Sequence, residues 1–266
     1  MLTTESRRAY IINTSVKHII FLCSPILLEM SGLSILLKVL KWSVAVVALL
    51  SYKTVPFAYY FRFYSIVIKN LIFPYRRWIK EGNRKPHSEL DVFHTTKIST
   101  FVSIFECDFY LHKSNSTYFE ELDISRTNLM TTVFRDLFFK YQRDALGGSK
   151  KDSIFNWPYI PVATVSASFH RQLSPFEKYT IEDGILCWDN KWIFILSRFM
   201  NKSNKVCTTC VTKYVLKNGK RTIRPKDALT DIGLWNEKVQ QISQSRLHLI
   251  ESYVDQSELE TLDLSH

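Results

Sequence analysis

The chain has 266 residues, 46% of them hydrophobic and 14% aromatic, with 35 Lys+Arg against 25 Asp+Glu. That length and composition suit one domain with extensions or two small domains, and they exclude a mainly disordered, collagen-like or disulfide-scaffold chain. The net charge of +10 invites a nucleic-acid reading, but residues 1–100 hold 14 Lys+Arg and 5 Asp+Glu while residues 101–266 hold 21 and 20; the nearly neutral remainder has no concentrated basic face, so no nucleic-acid partner is expected.

The first 20 residues hold Arg7, Arg8 and Lys17 against Glu5 alone, a composition open to a targeting role. Ile19–Leu28 is apolar but too short to span a bilayer. The window Gly32–Tyr52 reaches the roughly 20 residues a spanning helix needs. Lys38 and Lys41 lie in its N-terminal half, where they can snorkel. Phe57, Tyr59, Tyr60 and Phe61 follow like an interfacial belt. Eight basic residues over 53–85 against five over 1–41 place the C-terminal part in the cytosol by the positive-inside rule. Two other readings of the window stay open: a buried core helix with a solvated basic flank, and an interfacial helix lying on the membrane. The five cysteines form no dense framework, which suits a reducing compartment.

Lys80–His87 mixes Gly, Pro and charge and reads as a linker, closing an N-terminal extension, anchor and basic flank over residues 1–86. Lys97–Glu106 alternates Ile98, Thr100, Val102 and Ile104 on one face, a strand pattern. Thr117 and Glu120 have capping-box spacing, and Leu122, Leu129, Met130, Val133, Leu137 and Tyr141 recur near helical spacing, giving one long helix that ends before Gly147-Gly148. Four strand-like runs follow: Tyr159–Arg171, Glu177–Trp188, Lys191–Met200 and Lys205–Lys217. Asp189-Asn190 and Asn218-Gly219 are hairpin signals. Short connections force antiparallel neighbours. The economical solution is α+β, a five-stranded antiparallel sheet around one helix over residues 87–228. An amphipathic helix over Asp231–Tyr253 and an acidic tail complete residues 229–266.

This order is that of the hotdog fold. Glu106-Cys107-Asp108-Phe109-Tyr110-Leu111-His112-Lys113-Ser114-Asn115-Ser116-Thr117-Tyr118 resembles the D-x-D-x-x-x-H-x-N-N-x-x-Y signature of thioesterase-like hotdog proteins. Phe169–Glu177 is similar to their basic-L-x-x-F-E junction, and Gly184–Asp189 to their G-W-D hairpin. Over about residues 33–250 the chain resembles the membrane-anchored branch called thioesterase superfamily member six. The resemblance implies an acyl-CoA thioesterase, with the coenzyme A thioester as substrate and no separate cofactor. It also implies a homo-oligomer and a single-pass or monotopic membrane location, with the endoplasmic reticulum favoured and the mitochondrion as alternative.

Asp108 matches the catalytic carboxylate of the 4-hydroxybenzoyl-CoA thioesterases. It would attack the thioester carbonyl or activate a water; the bland alternative is an Asp that caps a turn. Backbone N–H groups near Thr117–Phe119 would polarise the carbonyl, and an apolar tunnel along the helix would hold the acyl chain. His112 is a hydrogen-bonding organiser or a base, and Asn115 a ligand contact or a helix cap. Tyr118 packs beside the substrate, and Arg171 meets a coenzyme A phosphate or is a solvated strand end. Glu106 stands where the family has Asp, and Ser114 where it has Asn. Cys207 and Cys210 lie three apart in a strand pattern and so point to opposite faces, against a metal site. The alternative to an enzyme is a non-catalytic hotdog protein that binds acyl chains or a protein partner at a membrane.

Overall fold

A computed structural model describes residues 32–49, 51–81, 88, 90–147 and 157–253. The run Ile19–Leu28, the Gly-Pro part of the linker, Gly148 and the acidic tail lie outside the described residues. The chain divides into two compact units, Met1–Tyr52 and Lys53–His266. In the first, helix α1 (Gly32–Leu49) fills most of the apolar window; by length and composition it is the one helix among the described residues able to cross a membrane.

The second unit opens with a helical arm, α2 (Ala58–Val67) and α3 (Phe73–Glu81). Pro74 has no N–H to give the carbonyl four residues back. The helix passes it through a π turn, Ile68–Ile72, in which Phe73 N–H reaches Ile68 O. The inner side of the arm is buried. Leu71 joins the main core, and Tyr75 and Trp78 lie 5.3 and 5.8 Å from the Phe139 ring. Asn70 Nδ2 donates to Asn128 Oδ1 at 3.0 Å and to Thr131 Oγ1 at 2.9 Å. Residues 53–81, grouped with the anchor by sequence, thus form a layer of the globular unit.

The sheet is built from β1 (Thr96–Phe101), β2 (Val162–Phe169), β3 (Lys178–Trp188), β4 (Trp192–Asn201), β5 (Val206–Asn218) and β6 (Arg221–Ile223). Its order is β1-β3-β4-β5-β2, all antiparallel, with β6 paired to β5. The expected five strands become six because Asn218-Gly219, with Gly219 at φ 57°, turns the chain back into a short sixth. Asp189 Oδ1 fixes the β3–β4 turn by accepting the N–H groups of Lys191 and Trp192 at 2.7 and 2.6 Å.

Between β1 and β2 run α4 (Thr117–Val133) and α5 (Arg135–Gly147). The expected single helix breaks at Phe134 (φ −93°, ψ 17°). The preceding run Thr131-Thr132-Val133 is β-branched and favours helix poorly. Leu129, Met130, Val133 and Leu137 bury their side chains in one core with Ile185 and Ile195 of the sheet. A long helix against an antiparallel sheet of this order is the hotdog arrangement. The capping box sits elsewhere than expected: Thr117 Oγ1 turns to Ser114 O at 2.7 Å, Ser116 is the N-cap without a side-chain bond to the helix N–H groups, and Ser103 with Glu106 forms the box. The expected C-terminal helix is also divided. α6 (Pro225–Asp231) stops before Gly233 at φ 75°, and α7 (Glu237–Arg246) starts afresh with Asn236 Oδ1 accepting Val239 N–H at 2.8 Å. A 3-10 segment, Leu247–Tyr253, continues it.

Candidate active site

The signature segment between β1 and α4 folds into a tight loop with two unlike sides. Cys107 bridges to Lys113, and Asp108 N–H donates to His112 O at 3.0 Å. Asp108 Oδ1 accepts Tyr110 N–H at 2.9 Å, an Asx turn. Leu111 closes it at φ 58°, where a residue with a Cβ is strained. The tip is apolar and open to solvent: Phe109 is 94%, Tyr110 78% and Leu111 70% exposed.

The inner side carries buried charge. Glu106 meets Lys113 Nζ and Lys53 Nζ, each at 2.7 Å, and accepts Ser103 N–H at 2.7 Å. Lys53 also reaches Glu121 at 3.2 Å. Arg62 grips Glu121 bidentately, both bonds 2.7 Å. The Glu106 carboxylate, one methylene longer than the family's Asp, thus serves two lysines and a backbone donor. Burial outweighs the Glu106 partner at Lys113 and holds its ammonium below the usual lysine range. At Glu121 burial pushes upward, but Arg62 and Lys53 more than offset it and hold the carboxyl below the usual range. Lys53, Arg62 and Lys113 thus form one network with Glu106 and Glu121 beneath the loop, with Glu120 within its electrostatic reach.

A cavity of about 550 Å³ adjoins this loop, and His112, Lys113, Asn115, Tyr118 and Arg171 are among its walls. Four of the five site residues expected from sequence therefore meet at one cavity. Asp108 is not in the wall, but its Oδ2 lies 3.3 Å from His112 Nδ1. Asp108 thus caps a turn through Oδ1 while Oδ2 faces the imidazole. Asn115 does not cap α4, since the N-cap is Ser116; its side chain is exposed on the cavity wall. Tyr118 is core and wall together, its ring edge-on to Phe199 at 4.8 Å and Phe169 at 5.2 Å; burial pushes its hydroxyl up to about 12. Arg171 is exposed, one guanidinium nitrogen donating to Val206 O at 2.7 Å.

The expected backbone oxyanion donors are otherwise engaged. The N–H groups of Thr117, Tyr118 and Phe119 close onto the carbonyls of Ser114, Asn115 and Ser116 at 3.0, 3.4 and 3.3 Å. The two cysteines depart from expectation as well. Cys207 and Cys210 share one buried cluster, because a bulge in the β4–β5 ladder, where Phe199 faces Thr208 and Met200 faces Val206, slips Cys207 by one position. Burial pushes the Cys210 thiol up to about 12, which leaves it inert. The sequence reading missed Lys53, Arg62, Lys113 and Glu121. Glu121 falls on the apolar face of the helix between Tyr118 and Leu122, the one signal that could have marked a buried charge; Lys113, in a polar run, gave none.

This hotdog sheet, with a carboxylate–imidazole pair on the loop between β1 and α4, has matching relatives. Residues 102–241 match the family model of the thioesterase-like superfamily, and the chain belongs to that superfamily. Probable thioesterase YBR096W of Saccharomyces cerevisiae is 45% identical over 215 residues, covering 80% of this chain and 88% of its own. Thioesterase poxG of Penicillium oxalicum is 28% identical over 240 residues, 77% of this chain and 75% of its own. Among solved structures, the YbaW probable thioesterase from Escherichia coli is similar at TM-score 0.40 and 14% identity, over 55% of this chain and 98% of its own. The chain is a thioester hydrolase.

Proposed function

We propose that this hydrolase cleaves fatty acyl-CoA thioesters at the cavity beside His112. A water attacks the carbonyl carbon and passes its proton to His112 Nε2, while Asp108 orients the ring through Nδ1. The tetrahedral oxyanion draws on the Asn115 amide and on Lys113, both on the cavity wall. The C–S bond then breaks, and the proton leaves His112 for the coenzyme A sulfur. Arg171, at the cavity edge, pairs with a phosphate of coenzyme A. The observation that carries this reading is the 3.3 Å approach of Asp108 to an imidazole on the cavity wall.

The same reading makes the protein a membrane-anchored member of the branch called thioesterase superfamily member six. α1 serves as the anchor and the domain faces the cytosol, with the endoplasmic reticulum ahead of the mitochondrion. Two of the eight basic residues behind that orientation, Lys53 and Arg62, are engaged in ion pairs. The apolar tip Phe109–Leu111, next to the cavity, is the kind of surface a second copy would cover, which supports a homo-oligomer.

The test is turnover of the full-length protein on an acyl-CoA series. His112→Gln and Asp108→Asn are each expected to lower kcat by about 10²–10⁴-fold, the range of lost acid–base catalysis. Inactive Asp108→Asn beside a nearly unimpaired His112→Gln would show instead that the carboxylate acts directly. Acyl-CoA binding without turnover in the unaltered protein would sink the proposal.

A further inference from the structure

The side of the arm turned away from α4 takes no part in the site. Its exposed positions recur every three to five residues, as Phe57, Phe61, Tyr64, Ile68 and Phe73, the five-residue step spanning the π turn, with Phe61 76% exposed. A domain surrounded by water rarely leaves so long an apolar row uncovered. The row passes into charge of one sign: Lys69, Arg76, Arg77 and Lys80 are exposed, and no Asp or Glu occurs between residues 51 and 80. Aromatic and aliphatic side chains merging into a Lys/Arg row is the pattern of a helix in the bilayer interface, with the apolar part at the acyl boundary and the basic part at anionic headgroups.

A second observation points the same way. A cavity of about 690 Å³ lies between the arm, α4 and the segment Trp157–Val162 that leads into β2, a size that suits a small ligand. Phe63, Leu71, Met130 and Phe138 line it, while Tyr64 and Ile68 belong both to its lining and to the exposed row. The cavity therefore opens where the row runs. Its charged groups, Asp123 and Arg126, stand 3.8 Å apart and offset one another. Such a site selects a hydrocarbon chain and not a charged headgroup.

We propose that the outer face of α2–α3 lies on an anionic bilayer and that the cavity beside it takes up a single hydrocarbon chain from that bilayer. This goes beyond anchoring by α1, because it gives the domain its own membrane-contact surface. The row begins eight residues after Leu49, so a chain anchored by α1 holds it within about 30 Å of the bilayer.

The experiment uses the full-length chain in phosphatidylcholine vesicles, with and without phosphatidylserine. A phosphatidylcholine with a diazirine in its acyl chain is the probe, and adducts are mapped by mass spectrometry after irradiation. Adducts are expected on the Phe57–Phe73 row and on Phe63 or Met130, several-fold more abundant with phosphatidylserine. Adducts on α1 alone would overturn the inference and leave the anchor standing. Adducts on the arm without α1 would do the reverse. Labelling of neither would overturn both. Labelling of the outer row without the cavity wall would remove the hydrocarbon site, and labelling indifferent to phosphatidylserine would remove the anionic requirement. Phe61→Asp with Tyr64→Asp, both at exposed positions, should lower arm adducts at least tenfold while α1 adducts persist.

Discussion

Up to Arg126, α4 turns polar side chains into the interior: Glu121, Ser125 and Arg126 are buried there with Tyr118 and Leu122. Beyond Arg126 the same helix buries Leu129, Met130 and Val133. Both halves pack apolar side chains, but the first adds paired charge, whereas the second adds the neutral bonds of Asn70 to Asn128 and Thr131. Ionic contacts are directional and leave costly orphans when one member goes, whereas apolar contacts tolerate repacking. The directional half is the half beside the candidate active site, where side chains must be fixed in place; the packed half supports the sheet.

The largest expected break is Glu121→Ala. It leaves Arg62 and Lys53 without their shared carboxylate and should cost about 3–5 kcal/mol. Denaturant unfolding of the full-length protein in detergent would check it, and the loss should extend to activity through Lys53 and Glu106. Leu129→Ala, eight residues on, should cost roughly 2–5 kcal/mol by leaving a cavity, with kcat almost unchanged in the protein that remains folded. Equal loss of kcat in the two variants would mean that the halves are not functionally distinct.

A third test uses pH. Asp183 of β3 is fully buried, accepts the hydroxyls of Ser125 and Ser197, and has its carboxyl pushed up from 3.8 to about 6 by burial. The folded state keeps this proton where the unfolded chain has released it. The stability it contributes is fully present below about pH 4 and is lost as pH rises to 6, a fall of about 3 kcal/mol. Asp183→Asn should flatten that window; an unchanged slope in a pH series of unfolding curves would assign the dependence elsewhere. The smallest effect is Leu111→Gly, which relieves the positive φ and should change stability by less than about 1 kcal/mol. Loss of self-association in that variant, read by light scattering, would tie the exposed tip to the oligomer.

The packed half was the legible half. Leu129, Met130, Val133 and Leu137 announce a buried helix by their spacing, and Asp189-Asn190 and Asn218-Gly219 announce the hairpins by their turn chemistry. The meeting of His112, Asn115, Tyr118 and Arg171 followed from the motif order, but the strand order did so only in part: β3, β4 and β5 are successive neighbours as their short connections require, whereas β2 pairs with β5 and not with β3. The ionic half was not legible. Lys53 and Arg62 stand in a basic stretch that reads as a solvated flank, and nothing local shows that their carboxylates are supplied about 60 residues later. The Phe134 break and the Cys207 bulge were hidden for a related reason: each is a one-residue change of register that the periodicity around it does not record.

The separation of these ion-pair partners also sets an order of events in biosynthesis. Lys53 and Glu121 are 68 residues apart. At about 5–20 residues per second, the arm is made roughly 3–14 s before the helix that neutralises it. Over that interval Glu81, Glu89 and Asp91 emerge first, and Glu106, itself a partner of Lys53, precedes Glu121 by 15 residues. Lys53 therefore has one of its native carboxylates available before Glu121 is made, whereas Arg62 must wait for Glu121 to complete the cluster.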